Sequence, residues 1–169
     1  MFSYGILTIS DKASIGLRKD IGGQTIADRM KQFGFILVER ETVPDDVALI
    51  SGTLRRWATT LDLILTTGGT GLSARDVTPE ATTRVLDRLA PGLSELLRSE
   101  TSRVTPLAAL SRGVSGTRGR CLIINLPGSP KAVDEYLDLL IPILPHAVET
   151  MRGPVEDHPN TQDPSNTGF

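Results

Sequence analysis

The amino-acid sequence predicts a doubly wound α/β domain, with helices on both faces of a mostly parallel sheet. Three observations carry this. Short apolar, β-branched runs alternate with segments of helical periodicity in the order β-α-β-α-β-α. The run at residues 61–67 is apolar apart from Asp62 until its threonines, which suits a strand covered on both faces. Three polar, glycine-bearing loops follow strands, and ligands of such sheets bind outside the carboxyl ends of the strands.

The elements follow in order. Tyr4-Gly5-Ile6-Leu7-Thr8-Ile9 predicts a buried strand. Residues 10–23 are polar and carry Gly16, Gly22 and Gly23, which predicts a loop. Ile26, Met30 and Phe33 fall on one face of a helix that Gly34 stops. Residues 35–42 form a second strand. Pro44-Asp45-Asp46 starts a second helix with Val47, Ile50 and Leu54 on one face, and Asp45 or Asp46 can cap it. The strand at 61–67 runs into a glycine-rich turn. Thr78-Pro79-Glu80 opens the next helix, with Thr78 as candidate N-cap and Pro79 in the first helical position. Residues 91–103 form another helix. Residues 113–115 and 120–125 pair across a tight turn at 116–119. Leu126-Pro127-Gly128-Ser129-Pro130 is a loop, and residues 131–151 are a long last helix, bent or broken near Pro142 and Pro145. Residues 1–153 make one domain. Residues 154–169, rich in Pro, Asp, Asn and Thr, are expected to form a flexible tail.

Composition narrows the function. A chain of 169 residues with 39% apolar content supports one core. A net charge of -2 and 4% aromatics give no basic face or stacking platform for nucleic acid. Cys121 sits in an apolar run, and with His146 and His158 it cannot assemble a Cys/His zinc site. The first residues do not read as a signal peptide, and no window approaches the ~20 apolar residues of a membrane span. The expectation is a cytoplasmic protein with neither membrane nor nucleic-acid partner.

The candidate chemistry lies in the loops. Gly68-Gly69-Thr70-Gly71 follows a strand and precedes a helix, where glycines let backbone N–H groups approach an anion. It lacks the Lys-Ser/Thr of a P-loop and does not match the dinucleotide fingerprint. It is a tight turn or an anion cradle, with Thr66 and Thr67 beside it. Asp76 either caps the next helix, pairs with Arg75, or holds a divalent cation against phosphate oxygens. Asp45 has the same ambiguity of cap or ligand, and Asp11 can satisfy its own turn. Leu126-Pro127-Gly128-Ser129 is a stiff turn with Ser129 as a cap, or a pocket wall. No Gly-x-Ser-x-Gly elbow occurs, and the histidines lie in the last helix and the tail. Positioning and metal electrostatics suffice for phosphoryl or nucleotidyl transfer.

Four segments together go further. Ile9-Ser10-Asp11-Lys12-Ala13-Ser14 with Gly16 and Asp20, Thr66-Thr67-Gly68-Gly69-Thr70-Gly71, Arg75-Asp76-Val77-Thr78-Pro79-Glu80-Ala81-Thr82, and Asn125-Leu126-Pro127-Gly128-Ser129-Pro130-Lys131-Ala132-Val133 resemble the molybdopterin adenylyltransferase family of molybdenum cofactor biosynthesis, which includes the gephyrin G domain. The resemblance covers about residues 4–153. It implies a three-layer α/β/α sandwich with a mostly parallel sheet, usually trimeric. It implies Mg²⁺-ATP-dependent adenylylation of molybdopterin with release of pyrophosphate, after which a partner protein inserts molybdate. Asp76 and Asp45 would be the catalytic and Mg²⁺-holding carboxylates. Ser10, Asp11, Thr67, Gly68, Gly69, Thr70, Gly71, Asn125, Leu126, Pro127, Gly128 and Ser129 would bind the ligands. The competing expectations are a carrier that binds molybdopterin without turnover, and a nucleotide hydrolase.

Overall fold

The computed structural model describes residues 1–153, and the expected tail lies outside the described residues. The first strand is β1 (Phe2–Ile9), followed by the single-turn helix α1 (Asp11–Ser14) and by α2 (Ile21–Met30), which continues as a 3₁₀ turn (Lys31–Phe33). Next come β2 (Phe35–Val43), α3 (Val47–Trp57), β3 (Leu63–Thr67) and α4 (Thr78–Thr83). The short β4 (Arg88–Leu89), α5 (Pro91–Ser102), a 3₁₀ segment (Pro106–Leu110), β5 (Ser115–Arg118) and β6 (Cys121–Leu126) follow. Helices α6 (Pro130–Leu140) and α7 (Leu144–Arg152) are the last described elements.

The strands form one sheet in the order β2-β1-β3-β6-β5-β4. The first four are parallel, and β5 and β4 add antiparallel at one edge. Side chains alternate across the sheet. Leu63, Leu65, Leu122 and Ile124 face α2, α5, α6 and α7 in one core, while Ile64, Cys121 and Ile123 face α3 and α4 in the other. The result is the three-layer α/β/α sandwich. Burial on both faces accounts for the unbroken apolar run of β3.

This topology positions the loops. α2 and α3 leave β1 and β2 on opposite faces of the sheet, so the winding reverses between β1 and β3. Loops diverge at such a point and leave a crevice. The registers level the strand ends: Thr8 pairs with Thr67, Thr67 with Leu126, and Ile9 with Val43. The loops that begin at Ser10, Pro44, Gly68 and Pro127 therefore start side by side.

Several local expectations are corrected. Gly22 and Gly23 lie inside α2, not in a loop. The Asp20 carboxylate caps that helix by accepting the Gly23 N–H at 2.8 Å. The absence of a side chain lets the helix approach β3: a Cβ on Gly22 would stand 2.9 Å from Thr67 Oγ1. Phe33 belongs to the 3₁₀ turn and is exposed, so Ile26 and Met30 alone form the buried stripe. Asp46, not Asp45, caps α3 by accepting the Leu49 N–H at 2.8 Å. Thr78 caps nothing; its hydroxyl donates to the Gly68 carbonyl at 2.9 Å. Gly116 lies within β5, opposite Ile123, and the hairpin turns at Gly119 and Arg120. The break expected near Pro142 is present: the last helical stretch is two helices, α6 and α7, separated by residues 141–143.

Candidate functional site

The turn after β3 is shaped by what presses on it. Gly68 and Gly69 adopt φ of 97° and 64°, in the region that disfavours side chains. A Cβ on Gly68 would lie 2.3 Å from the Ile9 carbonyl oxygen, and one on Gly69 would lie 2.3 Å from Thr78 Oγ1 and 2.9 Å from Asp45 Oδ1. The Gly68 N–H donates to the Leu126 carbonyl at 3.2 Å, so it is not available to a ligand. The N–H groups of Gly69, Thr70 and Gly71 have no acceptor among the described residues. Across the turn, the Thr67 hydroxyl donates to the Pro127 carbonyl at 2.7 Å. A Cβ on Gly128 would be 3.4 Å from Gly68 Cα. The two glycine loops thus touch and form a ridge.

A cleft opens on each side of this ridge. The first, about 420 Å³, is lined by Ser10, Asp45, Gly68 and Asp76 together with the cations Arg18 and Lys19. The second, about 510 Å³, is lined by Thr70, Gly71, Pro127 and Lys131 and has an apolar wall with Leu107 and Tyr136. Gly69, Asp76, Gly128 and Ser129 border both clefts. A ligand part in one cleft would meet a part in the other beside Asp76.

Three carboxylates gather at this junction with unequal support. The Asp45 N–H donates to Asp11 Oδ1 at 3.0 Å, and the Asp11 N–H donates back to Asp45 Oδ2 at 3.2 Å. Arg75 donates from Nε and Nη2 to the two Asp11 oxygens at 3.0 and 2.9 Å. Arg75 therefore pairs with Asp11 and not with its neighbour Asp76, whose Oδ2 accepts the Ser73 N–H at 3.1 Å. The Arg75 hydrogen bonds hold the Asp11 carboxyl below the usual carboxylate range, helped by the Asp45 N–H. Burial pushes the Asp45 carboxyl above its ordinary value; the Asp11 N–H opposes this, and the charges of Asp11 and Asp76 add to it. Among the described residues, no group of three or more His, Cys, Asp or Glu could hold a metal ion alone. A cation here would need oxygens from its ligand as well.

The other residues singled out from the sequence take two positions. Ser10 caps α1 by accepting the Ala13 N–H at 3.2 Å, and Ser129 caps α6 by accepting the Ala132 N–H at 3.5 Å; both also line the first cleft. Asn125 and Leu126 lie beneath, and neither lines a cleft. Asn125 is only 3% exposed, and its amide donates to the Thr66 and Thr82 hydroxyls at 3.0 Å while its oxygen accepts the Val114 N–H at 3.2 Å. Leu126 is fully buried in the core. These two brace the floor, because β6 must be covered before its loop reaches the surface. Sequence reasoning missed Arg18, Lys19, Lys131 and Arg112. The adjacent Arg18 and Lys19, in a polar loop after a strand, were a readable sign of an anion partner. Arg112 gave no sign, since it reaches Asp76 across 36 residues of sequence.

Comparison with known proteins places this site in a family. Residues 5–146 match the family described as "Probable molybdopterin binding domain". The chain is 39% identical to the molybdopterin adenylyltransferase of Helicobacter pylori over 153 residues, covering 88% of this chain and 87% of that protein. It is 41% identical to the molybdopterin adenylyltransferase of Escherichia coli K12 over 138 residues, or 79% and 71% of the two. The crystal structure of the molybdopterin biosynthesis enzyme MoaB from Thermus thermophilus superposes with a TM-score of 0.86 at 52% identity, over 91% of this chain and 98% of that one. With the family match spanning both glycine loops and all three carboxylates, the chain belongs to the molybdopterin-binding domain family of molybdenum cofactor biosynthesis.

Proposed function

We propose that this protein is a molybdopterin adenylyltransferase, which transfers AMP from ATP to the terminal phosphate of molybdopterin. The observation that carries this reading is the pair of clefts that meet at Asp76 on the glycine ridge. A two-substrate transfer needs two binding clefts with one shared point, whereas a carrier needs one. The relatives named molybdopterin adenylyltransferase support the same reaction.

In the reaction a molybdopterin phosphate oxygen forms a bond to the α-phosphorus of ATP. The bond from that phosphorus to the β-phosphate oxygen breaks, and pyrophosphate leaves. The attacking oxygen is already anionic near neutral pH, so no general base is required. The protein's task is to align the two phosphates and offset their charge. The N–H groups of Gly69, Thr70 and Gly71, with Arg18, Lys19 and Lys131, offer positive potential on the two sides of the ridge. Pro127, Gly128 and Ser129 would form the wall between the substrates, and Thr67, Asn125 and Leu126 would hold that wall in place.

Mg²⁺ fits the carboxylate group. Asp45 is partly buried among like charges, with no arginine donating to it, a condition that a divalent cation relieves. Asp45 and Asp76 would hold the cation together with phosphate oxygens. When bound it neutralises charge on the transferring phosphate. With this reading go a homotrimer, a partner protein that inserts molybdate, and a cytoplasmic location. Light scattering tests the trimer.

The direct experiment is pyrophosphate release from ATP and molybdopterin by the wild type and by Asp76→Asn. The variant should lose about 100- to 1,000-fold, the scale of removing one electrostatic contact to a transition state. An unimpaired rate in Asp76→Asn would overturn the assignment. A carrier would bind molybdopterin without releasing pyrophosphate, and a hydrolase would release AMP without the pterin.

A further inference from the structure

Arg112 lies outside both clefts' linings, yet its contacts run through the whole glycine turn. It follows the 3₁₀ segment and precedes β5. Its backbone N–H donates to the Thr70 carbonyl at 2.8 Å. Its Nε donates to the Gly71 carbonyl at 2.8 Å, and its Nη2 donates to the Asp76 carbonyl at 2.8 Å. Its Nη1 pairs with the Glu80 carboxylate in the first turn of α4. One residue therefore holds three carbonyls of the segment from Thr70 to Asp76 and ties them to the helix that follows.

Two consequences follow from peptide geometry. In a trans peptide the C=O and the following N–H point in opposite directions, and every peptide described is trans. With the Thr70 and Gly71 carbonyls turned toward Arg112, the N–H groups of Gly71 and Leu72 turn away from it. Neither has an acceptor among the described residues. Gly71 borders the second cleft, where its N–H group can meet a ligand, and the guanidinium behind it adds positive charge. The second consequence concerns Asp76. Its Oδ2 stands 2.8 Å from where a Gly71 Cβ would be, so its place depends on the Gly71 and Asp76 backbones. Both are held by Arg112.

We infer that Arg112 is a positioning residue for adenylyl transfer: it sets the peptide planes of the Thr70–Gly71 turn that borders the second cleft and fixes the backbone that carries Asp76. This rests on the adenylyltransferase reading above. A lysine cannot substitute, because an ammonium on a flexible stem does not reproduce a planar fork that bridges two carbonyls and a carboxylate.

The test compares wild type, Arg112→Lys and Arg112→Ala by steady-state pyrophosphate release and by amide hydrogen exchange of the peptide spanning residues 69–76. In Arg112→Ala kcat should fall about 100-fold, as for loss of an oriented donor set, while the KM for ATP should stay within about threefold. Arg112→Lys should lose nearly as much despite keeping the charge. Added methylguanidinium should restore part of the rate to Arg112→Ala and none to Arg112→Lys. Exchange should quicken at the hydrogen-bonded N–H groups of Ser73, Arg75 and Asp76 and stay unchanged elsewhere. Near-wild-type kcat in both variants would overturn the inference. So would a loss of kcat matched by faster exchange throughout the chain, which would mark Arg112 as merely structural. If Arg112→Ala does not fold, Arg112→Lys alone decides. If the wild type releases no pyrophosphate, the adenylyltransferase reading fails, and exchange still judges Arg112: no local quickening overturns its role.

Discussion

Two aspartate–arginine pairs stand at opposite ends of the sheet, and they differ in how completely the carboxylate is satisfied. At the amino ends of the strands, Asp62 accepts the Ser3 N–H at 2.7 Å, the Ser3 hydroxyl at 2.8 Å, and Arg152 Nε and Nη2 at 2.8 and 2.6 Å. Arg152 also donates to the Met1 carbonyl and lies 4.7 Å over the Phe2 ring. Burial alone would raise the Asp62 pKa, but the Arg152 and Ser3 hydrogen bonds outweigh it and hold the carboxyl below its ordinary value. At the carboxyl ends, Arg75 serves Asp11 only, and Asp45 is left with a raised pKa between two other carboxylates. A carboxylate with four donors ties α7 to β1 and β3 and has nothing left to offer a ligand. A carboxylate left among like charges is poised to bind a cation. The same pair of residue types thus gives a satisfied clamp at one end and an incompletely satisfied carboxylate junction beside the clefts at the other.

The largest test of this contrast is Asp45→Asn. Turnover should fall by about 100-fold or more. The thermal midpoint of the free protein should hold or rise, because the substitution removes an ionised group that folding disfavours. The sign follows from linkage. A raised folded pKa means that Asp45 destabilises the fold as pH climbs through its unfolded value, and the penalty is complete above its folded value. A lower melting temperature in Asp45→Asn would break the contrast.

Asp62→Ala should do the opposite. Unfolding free energy should drop by about 2 kcal/mol, the scale of hydrogen bonds to a charged group, while turnover per folded molecule stays unchanged. Denaturant melts and active-site-normalised rates measure the two. A selective loss of turnover would show that the clamp is coupled to the site. The pH dependence sharpens this. The depressed Asp62 pKa gives stability that is fully present above its unfolded pKa of about 3.9 and is lost as pH falls through the lower folded value. The stability gap between wild type and Asp62→Ala should therefore narrow as pH falls below the ordinary carboxylate range. A gap independent of pH would assign it to lost packing.

The smallest effect is expected from Arg75→Ala. Its side chain is 66% exposed, and water and salt screen an exposed pair so that it contributes little to stability. Thermal melting should change little. A large destabilisation would mean that the Asp11–Asp45 exchange depends on Arg75 for its folding and not only for its charge.

Much of the architecture was legible because it rests on local rules. The β-branched run of β1 and the continuous apolar run of β3 need only period and burial to be read. The motif residues around Gly68, Asp76 and Ser129 were legible as a group because each follows a strand end. The misread positions share one cause, contact with distant residues. Gly22 and Gly23 signal a loop until Thr67 and Thr8 are brought against them, and Thr78 signals a cap until the Gly68 carbonyl takes its hydroxyl.

The sequence by itself determined the layers, the parallel strands and the set of glycine-bearing loops that border the clefts, since these follow from patterning within each segment. The tertiary structure alone decided the roles within that set. It gave Arg75 to Asp11, left Asp45 without an arginine, put Asn125 under the floor, and brought Arg112 to the carbonyls of Gly71 and Asp76. Hydrogen-bond partners are chosen by distance in space. Four strands that end at one level bring together residues that no spacing along the chain could pair.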